Sequence, residues 1–309
     1  MRPSIEVDRL TKRFGATPAL DDISFTAGKG ELFGFIGPDG AGKTTLFRIL
    51  TTLLLPDSGT CRVEGYDVVK DYRQIRNICG YMPGKFSLYQ DLTVEENLRF
   101  FATIFGTTIR ENYDLVKDIY RHIEPFKHRK AGQLSGGMKQ KLALSCAMIH
   151  KPEVLFLDEP TTGVDAVSRQ EFWEMLRRLK EAGITILVST PYMDEAGLCD
   201  RVALIQSGRL MTVSAPAEVI TGYPLALAAV KAADIGILLH ALRGYPGIHS
   251  AHAFGQTAHA SFREGSVDLE ALATFLEKGP AGRAEIARIE PTIEDCFMEL
   301  MDKPGGMVK

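Results

Sequence analysis

The stretch ELFGFIGPDGAGKTTLFRIL, residues 31–50, decides the fold. Its first part, with Leu32, Phe33, Phe35 and Ile36, reads as a short buried strand, and GPDGAGKTT at residues 37–45 fits G-x-x-x-x-G-K-[ST] with Gly37, Gly42, Lys43 and Thr44 in register. A strand, a glycine-rich loop and a helix in that order wrap backbone N–H groups around phosphates at the helix N-terminus. Gly37, Pro38, Asp39, Gly40, Ala41, Gly42, Lys43, Thr44 and Thr45 are therefore the candidate nucleotide-binding set. Lys43 is expected to reach the β/γ-phosphates of ATP and Thr44 to take Mg²⁺. The bland alternative is a glycine turn without a ligand, and the flanking strand and helix argue against it. A carboxylate turned toward phosphate would be repelled, so Asp39 is expected to point outward.

The alternation of short apolar runs with helical patterns extends outward from this unit, from Ile5 to about Gln206. It is the mark of a mainly parallel sheet covered by helices. Strands are predicted at residues 32–36, 154–157, 184–189 and 202–206, with Ser207 and Gly208 as a tight turn into 209–213. Thr93-x-x-Glu96 is a capping box that opens an amphipathic helix to about Phe105, with its aromatics expected on the buried side. A further helix over residues 167–182 carries Phe172, Met175, Leu176 and Leu179 at core spacing and stops at Gly183. After about Ala215 the order becomes β-α-β-β-α-β plus a last helix, a ferredoxin-like pattern. The expected division is residues 1–215 and a small α+β domain at 216–309.

The 309 residues are 45% hydrophobic and 24% charged, enough for one substantial core and a small second one in a soluble protein. A formal charge of −3 gives no basic excess, so a nucleic-acid partner is not expected. The apolar stretch at residues 223–242 is broken by Pro224, Lys231 and Asp234, which excludes a membrane span, and no signal-peptide core opens the chain. Any membrane role must then run through a partner. Cys61, Cys79, Cys146, Cys199 and Cys296 are scattered without a C-x-x-C pair and read as reduced, buried thiols of a cytoplasmic protein. His249, His252 and His259 lie close together, but nothing else of ligand character is grouped with them, and they read as solvated strand positions rather than a metal site.

Two further motifs carry chemistry. VLFLDEP, residues 154–160, is an apolar strand ending in acids; beside a phosphate loop it places Asp158 in the Mg²⁺ shell and Glu159 next to the γ-phosphate, as orienter or base for water. Without the phosphate loop it would be an ordinary polar strand end. In QLSGGMKQK, residues 133–141, Ser135, Gly136 and Gly137 open a helix running to about His150 and make a second anion-binding helix end. Alone, this is an N-cap with two flexible glycines.

Phosphate loop, LSGGMKQ, LDEP and TTGVD, in this order, resemble the nucleotide-binding domain of ABC transporters over about residues 5–213. The resemblance implies a P-loop α/β domain with a helical subdomain. It also implies a head-to-tail dimer with a second nucleotide-binding domain, identical or different, in which each ATP lies between one phosphate loop and the other chain's LSGG. It makes Phe14 the aromatic on adenine, where the family more often has Tyr, and Asp165 the aspartate facing the partner site. The tail, with PTIEDCFMEL at residues 291–300, looks like the C-terminal extension of ATP-binding subunits of ABC-2 type exporters. Residues 86–98 would then meet a separate membrane permease from the cytoplasmic face.

The chain departs from the family at two places. GYMPGKF puts Gly84 where the family has a Gln that senses Mg²⁺ and γ-phosphate, and STPYMDEA puts Pro191 where it has the switch His. Loss of one positioned transition-state donor lowers kcat by about 10²–10³, so this chain's own site is expected to be slow unless Lys85 or Tyr192 substitutes. The expected function is an ATP-hydrolysing subunit of an ABC-2 type exporter. The alternatives are an ATP-clamping soluble ABC protein and a mainly structural half of a heteromeric transporter.

Overall fold

Burial of Ile5, Val7 and Leu10 beside exposed Asp8 and Arg9 marks a half-buried strand, β1 (Ile5–Phe14), which pairs antiparallel with β2 (Thr17–Ala27). The computed structural model describes residues 2–302. Contacts divide them into one unit running through Pro216 and another beginning at Ala217. After β2 the first unit continues with β3 (Leu32–Ile36), α1 (Lys43–Leu50), β4 (Ser58–Val63), β5 (Tyr66–Asp67), α2 (Tyr72–Ile78) and β6 (Cys79–Met82). Then come α3 (Val94–Ile104), α4 (Tyr113–Tyr120), α5 (Gly136–Met148), β7 (Val154–Asp158), α6 (Ala166–Glu181), β8 (Thr185–Thr190), β9 (Arg201–Gln206) and β10 (Arg209–Ser214).

Two sheets result. The larger has the order β10-β9-β3-β8-β7-β6 and is parallel except for β10, which returns from β9 through Ser207 and Gly208, both at positive φ. The other, β2-β1-β4-β5, is wholly antiparallel. The expectation of a mainly parallel sheet from Ile5 onward is thus corrected: the N-terminal strands bury one side only, with Ile5, Val7 and Leu10 inward in β1 and Leu20, Ile23, Phe25 and Ala27 in β2, as a one-sided antiparallel sheet does. Phe25, Phe33, Phe35, Phe47 and Phe156 join the two sheets and α1 through ring centroids 4.9–5.9 Å apart. Each such ring removes apolar area worth about 1.5–3 kcal/mol from water.

A helical group, α3, α4 and α5, packs beside the parallel sheet. The Thr93 capping box forms as expected, its side chain accepting from the Glu96 N–H while Glu96 returns a bond to the Thr93 N–H. Of the aromatics of α3, Phe101 is half-buried but Phe100 does not lie on the buried side. Val94, Asn97, Leu98 and Ala102 do, because Asn97 satisfies the loop before the helix through Tyr89, while Phe100 stays exposed against Tyr89. Helix α6 buries Phe172, Met175, Leu176 and Leu179 as expected, and Trp173 as well.

After α7 (Pro216–Thr221), the second unit has β11 (Leu227–Lys231), α8 (Ile235–Gly244), β12 (Ile248–Phe254), β13 (Thr257–Phe262), α9 (Leu269–Lys278), β14 (Glu285–Ile289) and α10 (Ile293–Asp302). The sheet order β12-β13-β11-β14, all antiparallel, is that of a β-α-β-β-α-β unit. Ala228, Val230, Leu238, Leu242, Phe262 and Leu272 are among its buried residues. His249 is an exposed strand position as expected, whereas His252 and His259 are half-buried. His259 Nδ1 lies 2.8 Å from Asp295 Oδ1, His249 Nε2 3.6 Å from Glu299, and His252 Nε2 3.4 Å from Asp302, so α10 supplies each with an acid. Among the described residues, no group of three or more His, Cys, Asp or Glu could hold a metal ion.

Candidate functional site

Strand β3 ends at Ile36 and the chain turns through residues 37–42 into α1. Gly42, the N-cap, has φ 107 and ψ −1, a left-handed conformation that suits glycine. A Cβ there would sit 2.4 Å from the Ala19 carbonyl oxygen of β2, so the loop can follow this path only without a side chain. No side chain caps α1, which leaves its first-turn N–H groups to a ligand's oxygens, at the positive end of the helix. From the far side, the Gly208 N–H donates to the Ala41 carbonyl at 2.9 Å, and the Gly37 N–H donates to Thr190 at 3.3 Å. Asp39 is exposed, as its charge requires, while Thr44 and Thr45 are half-buried.

Lys43 is 3% exposed. Its ammonium donates to the Gly37 and Pro38 carbonyl oxygens at 2.6 and 3.0 Å and lies 3.4 Å from Glu159 Oε1. The phosphate loop and the acid at the end of β7, more than a hundred residues apart, are thereby brought together. Glu159 has φ 50, a left-handed backbone for a non-glycine residue. Its N–H is held by Ser189 at the end of β8, at 3.0 Å to the carbonyl and 3.1 Å to Oγ. The Ser189 hydroxyl donates to Asp158 Oδ1 at 2.6 Å, orienting a carboxylate that is 2% exposed. Burial and the negative charge of Asp158 push the Tyr81 phenol up to about 12, so it remains neutral beside the acids. Ser189 and Tyr81 lie in the quoted STPYMDEA and GYMPGKF segments, but their roles escape sequence reading because both act through contacts to Asp158 and Glu159 on another strand.

The donor set fits a nucleotide with Mg²⁺. Uncapped N–H groups and a buried ammonium suit phosphate oxygens, and one hydroxyl and one carboxylate suit an ion that also takes phosphate and water ligands. Phe14, at the end of β1, is 55% exposed with the Lys12 ammonium 5.8 Å from its ring centroid, and its face is available for stacking.

Ser135 caps α5, accepting from the Met138 N–H at 3.3 Å, with Gly136 exposed beside it. Gly137 is buried, and a Cβ there would meet Ser168 Oγ at 2.7 Å. Gly84, Gly136, Lys139, Glu159 and Gly163 line one cavity of about 170 Å³. The acid loop, not the phosphate loop, is thus the neighbour of this chain's own LSGG. Asp165 caps α6, and the bond from the Ser168 N–H holds its carboxyl below the usual range.

Both sites of departure lie here. A Cβ at Gly84 would stand 3.1 Å from the Asp158 carbonyl oxygen and 3.7 Å from Glu159 Cβ, and Pro191 directly follows Thr190, whose carbonyl holds Gly37. Neither supplies a side-chain donor. Tyr192 lies against Arg169, whose guanidinium carbon is 5.3 Å from the ring centroid.

Away from the phosphates, an apolar cleft of about 510 Å³ is lined by Leu53, Tyr81, Met82, Leu88, Phe101 and Phe105 among others.

Fold and site together define a P-loop nucleotide-binding domain. Comparison with known proteins narrows this. The sequence profile of the ABC transporter family matches residues 20–162. A Nod factor export ATP-binding protein I from Rhizobium sp. (strain N33) is 33% identical over 303 residues, covering 96% of both chains. The probable multidrug ABC transporter ATP-binding protein YbhF of Escherichia coli (strain K12) is 42% identical over 214 residues, 69% of this chain. The matched region spans 37% of the length of that relative. Among solved structures, cbiO1 from Clostridium perfringens, part of the ABC transporter complex cbiONQ, superposes with a TM-score of 0.65 at 27% identity, over 72% of this chain and 92% of that one. This chain belongs to the ABC transporter family, as one of its ATP-binding cassettes.

Proposed function

We propose that this chain is the ATP-binding and ATP-hydrolysing subunit of an ABC-2 type export system, acting on a separate membrane permease from the cytoplasmic face. The observation that carries the reading is the 3.4 Å approach of Lys43 to Glu159, which joins a phosphate-binding loop to a water-orienting acid in one site. Lys43 would bind the β/γ-phosphates, the residue 37–42 backbone and the first turn of α1 would hold their oxygens, and Phe14 would stack on adenine. Thr44 and Asp158 would hold Mg²⁺, which supplies charge neutralisation on the transferred phosphoryl group. Glu159 would orient the attacking water, and Ser135, Gly136 and Gly137 would complete the site of a second nucleotide-binding domain, identical or different. Export is supported by the similarity to Nod factor export ATP-binding proteins.

Residues 86–98, with the apolar cleft that includes Leu88, are the proposed seat of the permease. No helix among the described residues is long and apolar enough to cross a membrane, which fits a separate spanning subunit. Domain roles follow the proposed division at residues 1–215 and 216–309, with all phosphate-contacting groups in the first part.

A second reading is favoured by Gly84 and Pro191. With no side-chain donor at either place, the chain's own site would mainly clamp ATP while its LSGG serves the site of a different partner. Lys43→Ala tests the phosphate site common to both readings: ATP affinity and turnover should both collapse. Unchanged affinity in a folded Lys43→Ala chain would refute the assignment. The ATPase rate of the parent, with and without its membrane subunit, separates hydrolysis from clamping.

A further inference from the structure

The segment after Pro191 forms a 3₁₀ turn, Met193–Leu198, that sends one acid inward. Glu195 is 2% exposed, and its Oε1 accepts a hydrogen bond from the Thr161 hydroxyl at 2.8 Å; Thr161 is itself 1% exposed. Arg169 of α6 places Nε 3.9 Å from the same oxygen while its Nη2 pairs with Asp194 at 3.1 Å. Glu195 Oε2 is buried with no hydrogen-bond partner among the described residues. A carboxyl group carried into the interior at this desolvation penalty has a purpose other than surface charge. Its direct partner, Thr161, lies two residues after Glu159, in the loop whose first residue holds a left-handed backbone.

We propose that Glu195 is a positioning residue for hydrolysis: through Thr161 it fixes the loop that carries Glu159, and so links the segment after Pro191 to the acid. The inference rests on the reading of Glu159 as the water-orienting residue. Besides the Lys43 contact to its carboxylate, the backbone and flank of the Glu159 loop are anchored at two points. Ser189 holds the Glu159 N–H from β8, and Glu195 holds Thr161 from the 3₁₀ turn. With only the first anchor the N–H is fixed, but the chain beyond it is free to relax out of the left-handed conformation. The carboxylate would then lose its aim at the water while the phosphate loop, held by Gly208 and Thr190, kept its shape. Because Pro191 removes the side chain that would bridge this segment to the γ-phosphate directly, the Glu195–Thr161 bond is the connection that remains.

The test uses the full chain and steady-state ATPase kinetics, with ATP affinity measured on the same preparations by a fluorescent ATP analogue. Thr161→Val and Glu195→Ala should each lower kcat about tenfold, while KM and affinity stay within about twofold. Thr161→Ser and Glu195→Gln, which keep a hydroxyl donor and an oxygen acceptor, should hold kcat within about threefold of the parent. The double variant Thr161→Val/Glu195→Ala should be no slower than the slower single, since both remove one bond. Parent kcat in folded Thr161→Val, affinity lost in step with turnover, or multiplicative losses in the double variant would each overturn the proposal. The parent rate is measured first. A parent without turnover overturns the hydrolytic reading and this inference with it, whereas an active parent with indifferent variants removes the inference alone.

Discussion

Restoring Gly84→Gln together with Pro191→His should accelerate ATP hydrolysis by the homodimer by at least about 10²-fold. The gain follows from transition-state charge: one positioned donor is worth about 10²–10³ in kcat, or about 2.7–4 kcal/mol, and this site lacks two. The structure sets the opposing term. A Cβ at residue 84 meets the Asp158 carbonyl oxygen at 3.1 Å, so the strand end must yield by a few tenths of an ångström, an overpacking that costs about 1–3 kcal/mol at most. Gly84 lies outside the left-handed region, so a side chain there adds no backbone strain. At residue 191 the change releases Thr190 from the restriction that a following proline imposes. With the donors at the low end of their range and the crowding at the high end, about two orders of magnitude remain, which is the minimum expected. The assay is steady-state phosphate release at saturating Mg-ATP, with nucleotide affinity measured alongside. A homodimer that already turns over fast and is indifferent to the restored side chains would refute the reasoning and show that other groups sense the γ-phosphate.

Glu159→Gln should keep ATP binding and stop turnover, trapping an ATP-bound dimer detectable by sizing chromatography; hydrolysis at the parent rate would remove Glu159 from its proposed role. Gly42→Ala should abolish nucleotide binding, since its Cβ would press 2.4 Å from the Ala19 carbonyl at a φ of 107; calorimetry with ATP would read this directly. The thiols should be silent to labelling in the native state. Burial pushes Cys61 from its ordinary 9.0 to about 12, lowering its thiolate fraction about a thousandfold, and pushes Cys296 to about 11. A thiol-reactive dye at pH 8 should therefore label the five cysteines only on unfolding, and rapid labelling of folded protein would contradict the burial.

Legibility in the sequence followed how local the controlling physics was. The phosphate loop, the Thr93 capping box, the α6 core face and the strand order of the second unit are written in spacing over a few residues, and the structure repeats them. The antiparallel sheet of β1, β2, β4 and β5 was not legible, because bulges at several points of the β1–β2 pairing break the strict alternation that would announce it. Phe100 was misplaced because the buried side of α3 includes Asn97, a polar residue whose value lies in the loop it satisfies. The histidine pairs needed acids from α10, between about 36 and 50 residues further along the chain. At the site, the motif segments were readable, but the roles of Ser189, Thr161 and Glu195 within them, and of Arg169 outside them, depend on tertiary contacts that no spacing encodes.

The walls of the phosphate loop have a consequence for how the protein is made. Ala19 of β2 leaves room at Gly42 only for a residue without a side chain, and the turn after β9 donates from Gly208 to Ala41, so a loop at residues 37–42 depends on chain synthesised some 165 residues later. Contacts of such sequence separation form late, after the entropy of the intervening chain has been overcome. During synthesis the glycine-rich segment emerges early, and for most of elongation it is a flexible tether between a strand and a helix. It becomes a receptor for phosphate only when the β9–β10 hairpin closes the far side of the sheet. Nucleotide competence therefore reports completion of the whole cassette, and ATP, by binding only the finished form, favours chains that have folded to the end.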